Sequence, residues 1–133
     1  MKHRHIVVIV DDDADDREMM KDAFLNARIE LEYIFFENGE KLIEYLQSGI
    51  GRQLPSLILP DLNMPGKDGR ETLREIKTNE RYQPIPTVVF TTSSSERDRL
   101  MAYQLGANCF VSKPDTFDTL TDVTCSLARL WLK

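Results

Sequence analysis

At 133 residues the chain fits one domain of common size, able to bury most of its apolar surface without disulfide or metal staples, and it leaves no room for a separate output domain. Net charge is −5 and the sequence pI is about 5.0, with Lys and Arg scattered rather than gathered into one stripe, which argues against nucleic-acid backbone as a partner. No apolar run approaches the about 18 residues of a membrane span, and Met1-Lys2-His3-Arg4-His5 leads straight into a strand pattern without a signal-peptide core, so a soluble cytoplasmic protein is expected.

Ile6 to Val10 is an unbroken β-branched run, the pattern of a strand covered on both faces, and His3 and His5 before it read as solvated flanking residues. Asp11, Asp12 and Asp13 end that run. Met19, Met20, Ala23, Phe24 and Ala27 then recur at helical spacing, with Asp15, Asp16 and Glu18 in the first turn where the helix dipole favours anions, predicting a helix from about Asp15 to Ala27. Leu31 to Phe36 reads as a second strand, Asn38-Gly39 as a break, and Glu40 to Ser48 as a short helix with Leu42, Ile43 and Leu46 inward. After a loop marked by Gly49, Gly51 and Pro55, Leu57 to Leu59 is the third strand, expected to stop ahead of Pro60, which has no N–H to give a ladder.

Asp68 to Asn79 is the third helix, with Leu73 and Ile76 inward and Arg70, Glu71, Arg74, Glu75 and Lys77 outward. Glu80 to Pro86, carrying Pro84 and Pro86, is a long connection, and Thr87 to Thr91 is the fourth strand. Thr92-Ser93-Ser94-Ser95 can cap a helix from about Glu96 to Leu105, whose thin apolar stripe of Leu100, Met101 and Leu105 predicts weak docking. Gly106-Ala107-Asn108 ends it, and Cys109 to Ser112 is the fifth strand. The last helix, about Thr116 to Leu132, spaces Phe117, Leu120, Val123, Leu127 and Leu130 at 3, 3, 4 and 3, one continuous apolar face. Cys109 and Cys125 sit in apolar segments at no paired spacing, the pattern of buried thiols in a reducing compartment rather than of a disulfide or metal site.

Five strands alternating with five helices predict a doubly wound α/β domain with a five-stranded parallel sheet, because short connections force parallel pairing with right-handed crossovers. Such sheets keep their chemistry above the carboxyl ends of the strands. Three apolar runs end in charge there: the first at Asp11-Asp12-Asp13, the third at Asp61 just ahead of Met64-Pro65-Gly66, and the fifth at Lys113-Pro114 after Phe110-Val111. Carboxylates at Asp11, Asp12 and Asp61 brought within a few ångströms repel one another, and a hard divalent cation held by oxygens is the usual remedy. Mg²⁺ is the natural candidate; it keeps waters and is completed by a substrate phosphate, so the site reads as one for handling phosphoryl groups. Lys113 would neutralise phosphoryl charge, the Thr91 hydroxyl would donate to a phosphoryl oxygen, and Asp61 is the plausible nucleophile, giving an acyl phosphate.

With those residues in place the chain resembles a response-regulator receiver domain of two-component signalling, of the single-domain chemotaxis type, over essentially its whole length. Asp61, Pro65, Asp68 and Gly69 match the family's strand-end Asp-x-x-x-Pro-x-x-Asp-Gly pattern, with Asp61 as phosphoacceptor. Asp11 and Asp12 match the acidic pair, Asp12 as the closer metal ligand and Asp11 acting through water, while Asp13 falls outside it. Asn63 matches the residue whose backbone carbonyl completes the Mg²⁺ shell, Thr91 the switch hydroxyl, Phe110 the switch aromatic, and Lys113 the family lysine. Pro60, where the family has an aliphatic residue, and Thr92, bulkier than the small residue usual after the switch hydroxyl, depart from the pattern.

The resemblance implies a flavodoxin-like strand order 2-1-3-4-5. It also implies transfer from a phosphohistidine on a sensor histidine kinase or phosphotransfer protein onto Asp61, assisted by Mg²⁺ and Lys113, with slow self-dephosphorylation; such a protein is a signalling receiver rather than an enzyme. Inward movement of Thr91 and rotation of Phe110 would reshape the face built from the fourth helix, fifth strand and fifth helix. That face would serve a downstream protein target or a homodimer, with Trp131 either on it or in the core; no nucleic acid and no membrane are implied. The Pro84–Pro86 connection and the acidic run after the first strand are similar to receivers found beside phytochrome-like kinases.

Each residue also has an ordinary reading: Asp11 to Asp13 as a helix N-cap cluster, Lys113 as a solvated charge, Thr91 and Phe110 as plain strand residues. Rival functions are a pseudo-receiver acting as an interaction module without phosphorylation, a haloacid-dehalogenase-like phosphatase using Asp11 as nucleophile, and a flavodoxin-like electron carrier. The phosphatase lacks length for a cap and a second acidic pair, and the acidic loop after the first strand would repel a flavin phosphate.

Overall fold

Residues 5–27, 31–49, 53–62 and 69–132 are described by the computed structural model. The β-branched run forms β1 (His5–Val10), which pairs in parallel with β2 (Leu31–Phe36) from His5↔Leu31 to Val10↔Phe36 and with β3 (Leu57–Pro60) from Val7↔Leu57 to Val10↔Pro60. A second ladder joins β4 (Val88–Thr91) to β5 (Cys109–Ser112), in parallel from Val88↔Cys109 to Thr91↔Ser112. Between the ladders stands one parallel bridge, Ile58↔Thr87, with the Ile58 N–H donating to the Pro86 carbonyl at 2.9 Å.

Pro60 accounts for that sparse seam. Backbone groups alternate sides along a strand, and the Asp61 N–H turns to the Val10 carbonyl of β1 while the Ile58 N–H turns to Pro86. Position 60 therefore faces β4, and its N–H would be the next rung, to the Val88 carbonyl. Proline has none. The expected end of the strand before Pro60 is corrected: β3 runs through Pro60 because the missing donor falls on the β4 side and leaves pairing with β1 intact.

Among the described residues five helices intervene: α1 (Ala14–Leu25), α2 (Gly39–Ser48), α3 (Gly69–Thr78), α4 (Glu96–Gln104) and α5 (Phe117–Trp131). Alternation along the strands sends Val7, Ile9, Leu57, Leu59, Val88 and Phe90 to one face, against Met20 and Phe24 of α1 and Leu120 and Leu127 of α5. Ile6, Val8, Val10 and Ile58 go to the other, against Leu42, Ile43 and Leu46 of α2 and Ile76 of α3. Full burial of such a side chain contributes about 2 kcal/mol. By that measure α4 is thinly held, since Ala102 is its one buried residue and Leu100 is 54% exposed. The weak docking expected of this helix follows.

Some sequence expectations shift. In α5, Leu130 is 73% exposed; it lies to one side of a stripe that actually runs through Leu120, Thr124, Leu127 and Ala128 and closes with Leu132. Trp131 is half-buried and packs against the α1–α5 core. Lys77, expected outward, is half-buried and donates to the carbonyls of Gln83 (3.0 Å) and Ile85 (2.8 Å) and to Asn108 Oδ1 (3.0 Å), which pins the proline-bearing connection. Cys109 and Cys125 are free and half-buried, not buried. His5 is half-buried and lies 3.2 Å from the Ser56 hydroxyl, while His3 lies outside the described residues.

Candidate functional site

Parallel strands in register bring their ends together, and that alone places the site. Val10 pairs with Pro60, so the residues that follow, Asp11 and Asp61, emerge side by side; the Asp61 N–H donates to the Val10 carbonyl and the Asp11 N–H to the Phe36 carbonyl, each at 3.0 Å. Thr91 pairs with Ser112, and the Lys113 N–H donates to the Thr91 carbonyl at 2.7 Å, which brings the ammonium stem to the same edge. Asp11 and Asp61 are 4% and 6% exposed, and Thr91 is fully buried.

Lys113 Nζ lies 2.5 Å from Asp11 Oδ2, 3.2 Å from Asp61 Oδ2 and 3.0 Å from Asp16 Oδ2. Burial works against the Lys113 charge, but its hydrogen bond with Asp11, the charges of Asp11 and Asp61 and its hydrogen bond with Asp16 outweigh that and hold the ammonium above its ordinary pKa. Burial likewise pushes the Asp11 carboxyl up, against the pull of Lys113 and of the Asp13 N–H, which donates to Asp11 Oδ1 at 2.9 Å. Two like charges about 4 Å apart at an effective dielectric near 20 repel by about 4 kcal/mol, and one ammonium shared among these carboxylates does not neutralise them. Oxygens of Asp11, Asp12 and Asp61 all lie within 4.8 Å of one another, with Asp12 exposed to receive a ligand. An all-oxygen set of this kind, open on one side, fits a hard divalent cation that keeps water.

Of the residues singled out in the sequence, Asp11, Asp12, Asp61 and Lys113 come together, and Thr91 stands at the adjacent strand end. Asn63, Pro65 and Asp68 lie outside the described residues. Phe110 is half-buried on β5, packed with Met101 and Leu105 against the Leu62–Leu73–Val89 cluster, and its N–H donates to the Tyr103 hydroxyl at 3.2 Å. The N-cap reading holds for Asp13, whose Oδ1 accepts from the N–H groups of Asp15 (2.8 Å) and Asp16 (3.3 Å). Gly69 closes the loop from the other side: a Cβ there would lie 2.0 Å from the Asp61 carbonyl oxygen, so only glycine admits this approach of α3.

Three contributions were not read from the sequence. Asp16, credited to the helix dipole alone, reaches Lys113 because the Asp13 cap sets it one turn above the strand end. Arg17 Nη1 donates to the Asp11 carbonyl at 2.6 Å. Beside Thr91, the Ser93 hydroxyl donates to Asp98 Oδ2 at 2.6 Å, Arg70 Nη2 donates to Asp98 Oδ1 at 3.2 Å, and the Ser112 hydroxyl donates to the Ser93 carbonyl at 2.8 Å, tying the loop after β4 to α3, α4 and β5. The signal for Asp16 was its position three after an Asp cap; nothing local marked Arg70.

A family model described as the response regulator receiver domain matches residues 7–124. The response regulator Rcp1 of Synechocystis sp. is 34% identical over 131 residues, covering 96% of this chain and 89% of the relative. Among solved structures, the phosphorylated cyanobacterial phytochrome response regulator RcpA superposes with a TM-score of 0.90 at 31% identity, covering 98% of this chain and 96% of that one. The Mn²⁺-bound form of Rcp1 superposes with a TM-score of 0.86 at 33% identity, covering 97% and 95%.

Proposed function

We propose, from the premise that this chain belongs to the response regulator receiver domain family, that Asp61 accepts a phosphoryl group from a phosphohistidine on a partner histidine kinase or phosphotransfer protein. The observation that carries the proposal is one ammonium, Lys113, in contact with both Asp11 and Asp61 at the edge of an oxygen cluster suited to a divalent cation. An Asp61 carboxylate oxygen attacks phosphorus, the phosphorus–nitrogen bond breaks with its electron pair leaving on the imidazole, and a mixed anhydride remains. Lys113 holds the strand-end pocket against the charge of the transferring group, and the Thr91 hydroxyl donates to a phosphoryl oxygen once its loop draws inward. Asp11, Asp12 and Asp61, with the Asn63 carbonyl that the family pattern implies, would hold Mg²⁺, which would supply the remaining positive charge there; the Mn²⁺-bound Rcp1 supports a cation here. Hydrolysis of that anhydride, with water attacking phosphorus, inorganic phosphate leaving and the Asp61 carboxylate regenerated, makes the protein a self-resetting receiver rather than a classical enzyme.

Output is read from the face of α4, β5 and α5. Phe110 is half-buried beside the thinly held α4, so inward movement of Thr91 leaves it room to rotate and reshape the surface offered to a downstream protein or a second copy. The Ile58↔Thr87 bridge supports one doubly wound sheet of order 2-1-3-4-5. We take residues 1–133 as one receiver domain working in the cytoplasm, in line with the absence, among the described residues, of any helix long and apolar enough to cross a membrane. Likeness to the phytochrome response regulator RcpA supports a phytochrome-like kinase as donor. The phosphatase alternative is not favoured, because the family model and the single-domain response regulators match nearly the whole chain as a receiver.

Incubation with acetyl phosphate and Mg²⁺ tests the reading. The wild-type chain is expected to take up one phosphoryl group and the Asp61→Asn variant none; undiminished labelling of that variant excludes Asp61 as acceptor.

A further inference from the structure

Among the described residues Lys113 has three carboxylate partners, and they are not equivalent. Asp11 and Asp61 belong to the oxygen cluster that fits a cation, whereas Asp16 does not. Asp16 comes from α1, is 31% exposed against 14% for Lys113, and is held in place from below by the Asp13 cap that accepts its N–H. The oxygens that Asp11 and Asp61 give to the ammonium are therefore oxygens a cation must share or displace, while the oxygen Asp16 gives is not. Lysine is a compact charge on a flexible four-carbon stem, so where it rests depends on which counter-charges are left to it.

We propose that Asp16 is a positioning residue for Lys113: it takes part of the ammonium's pairing toward α1 and so eases displacement of Lys113 from the Asp11 and Asp61 oxygens by a divalent cation. This rests on the reading of the site as one that binds a cation beside Asp61. Without the Asp16 charge, Lys113 has, among the described residues, Asp11 and Asp61 left to pair with, and it competes harder for the same oxygens. The direction is informative. Asp16 is no ligand, yet its loss weakens cation binding through the lysine.

The test is a Mg²⁺ titration of the metal-free protein followed by backbone amide NMR signals, for wild type, Asp16→Asn, Asp16→Glu, Lys113→Met and the Asp16→Asn/Lys113→Met pair. Asp16→Asn is expected to raise the Mg²⁺ Kd about 3-fold, the scale of a partly exposed ion pair, and Asp16→Glu to restore it by keeping the charge within reach. In the Lys113→Met background the same Asp16→Asn change is expected to have little effect, since no ammonium remains to be positioned. An unchanged Kd in Asp16→Asn overturns the proposal, and so does an equal weakening with and without Lys113, which would mark a general charge effect. A wild-type chain whose amide signals ignore Mg²⁺ would overturn the cation site itself, an outcome separate from failure of the Asp16 role alone.

Discussion

The two ladders meet at the site with unequal anchorage. On the β2-β1-β3 side, β1 is bonded along both edges, and the backbone N–H groups of Asp11 and Asp61 extend those ladders, so the acidic groups stand on fixed backbone. The β4-β5 side is tied to β3 by a single bridge, loses its next rung at Pro60, and carries the helix with one buried residue, Ala102. That second side bears Thr91, Phe110 and Lys113. On the proposed reading, the carboxylates that would bind a cation stand on the more fully bonded side, and the groups that would respond to added charge stand on the less bonded one. Where the backbone lacks a rung, the Lys113 ion pairs make the connection instead, and they form at the place phosphorylation would alter.

The largest effect is expected where the fixed side is closed. Gly69→Ala would press a Cβ to 2.0 Å from the Asp61 carbonyl oxygen, with backbone rather than a flexible side chain in the way. A loss of about 3 kcal/mol or more, from displaced backbone at the β3–α3 junction, is expected in urea denaturation. A loss within about 0.5 kcal/mol would mean that the junction gives way freely and the contrast between the two sides is overdrawn.

Lys113→Met comes next. It leaves Asp11 and Asp61 buried without their ammonium, expected to cost about 2–3 kcal/mol at neutral pH after allowance for partial exposure. Saturating Mg²⁺ should recover much of it. The sign with pH follows from the raised Lys113 pKa: its stabilisation is complete below the free-lysine value of about 10.4 and fades as pH rises through the higher folded value, so the gap between wild type and variant stays constant through pH 7–9. A gap that closes below pH 9 would break the assignment.

Pro60→Ala sharpens the comparison most cleanly. It restores an N–H facing the Val88 carbonyl, worth about 1 kcal/mol, partly offset by the greater freedom of the unfolded chain. Net stability moves little, but hydrogen exchange across β4 and β5 is expected to slow and the new amide to be protected. Fast exchange at position 60 would show that the seam is sparse for another reason. Smallest of all, Leu100→Ala on the exposed side of α4 should change stability by under about 0.5 kcal/mol.

The sequence made the strands legible because each ended at a charge or a break: Val10 at Asp11, Leu59 near Asp61, Ser112 at Lys113. It made the gathering of Asp11, Asp12, Asp61 and Lys113 legible for the same reason, since strand ends in a parallel sheet converge. What escaped depends on direction rather than identity. Pro60 is harmless to one neighbour and costly to the other, and only the register says which. Lys77 turns inward because three oxygens from the connection and from Asn108 converge on it, a geometry no helical spacing encodes. Leu130 is apolar yet outside, since α5 buries Thr124 and Ala128 instead. Asp16 looked like one acid among several at a helix start until Lys113 arrived from 97 residues away.

The central claim is that Asp61, and no neighbouring carboxylate, receives the phosphoryl group. Borohydride reduction of the labelled protein, followed by peptide mass spectrometry, reads this directly, because an aspartyl phosphate is reduced to homoserine. Homoserine at position 61 alone is the predicted result. Homoserine at position 11 or 12, or none in a chain that has taken up phosphate, would contradict the account.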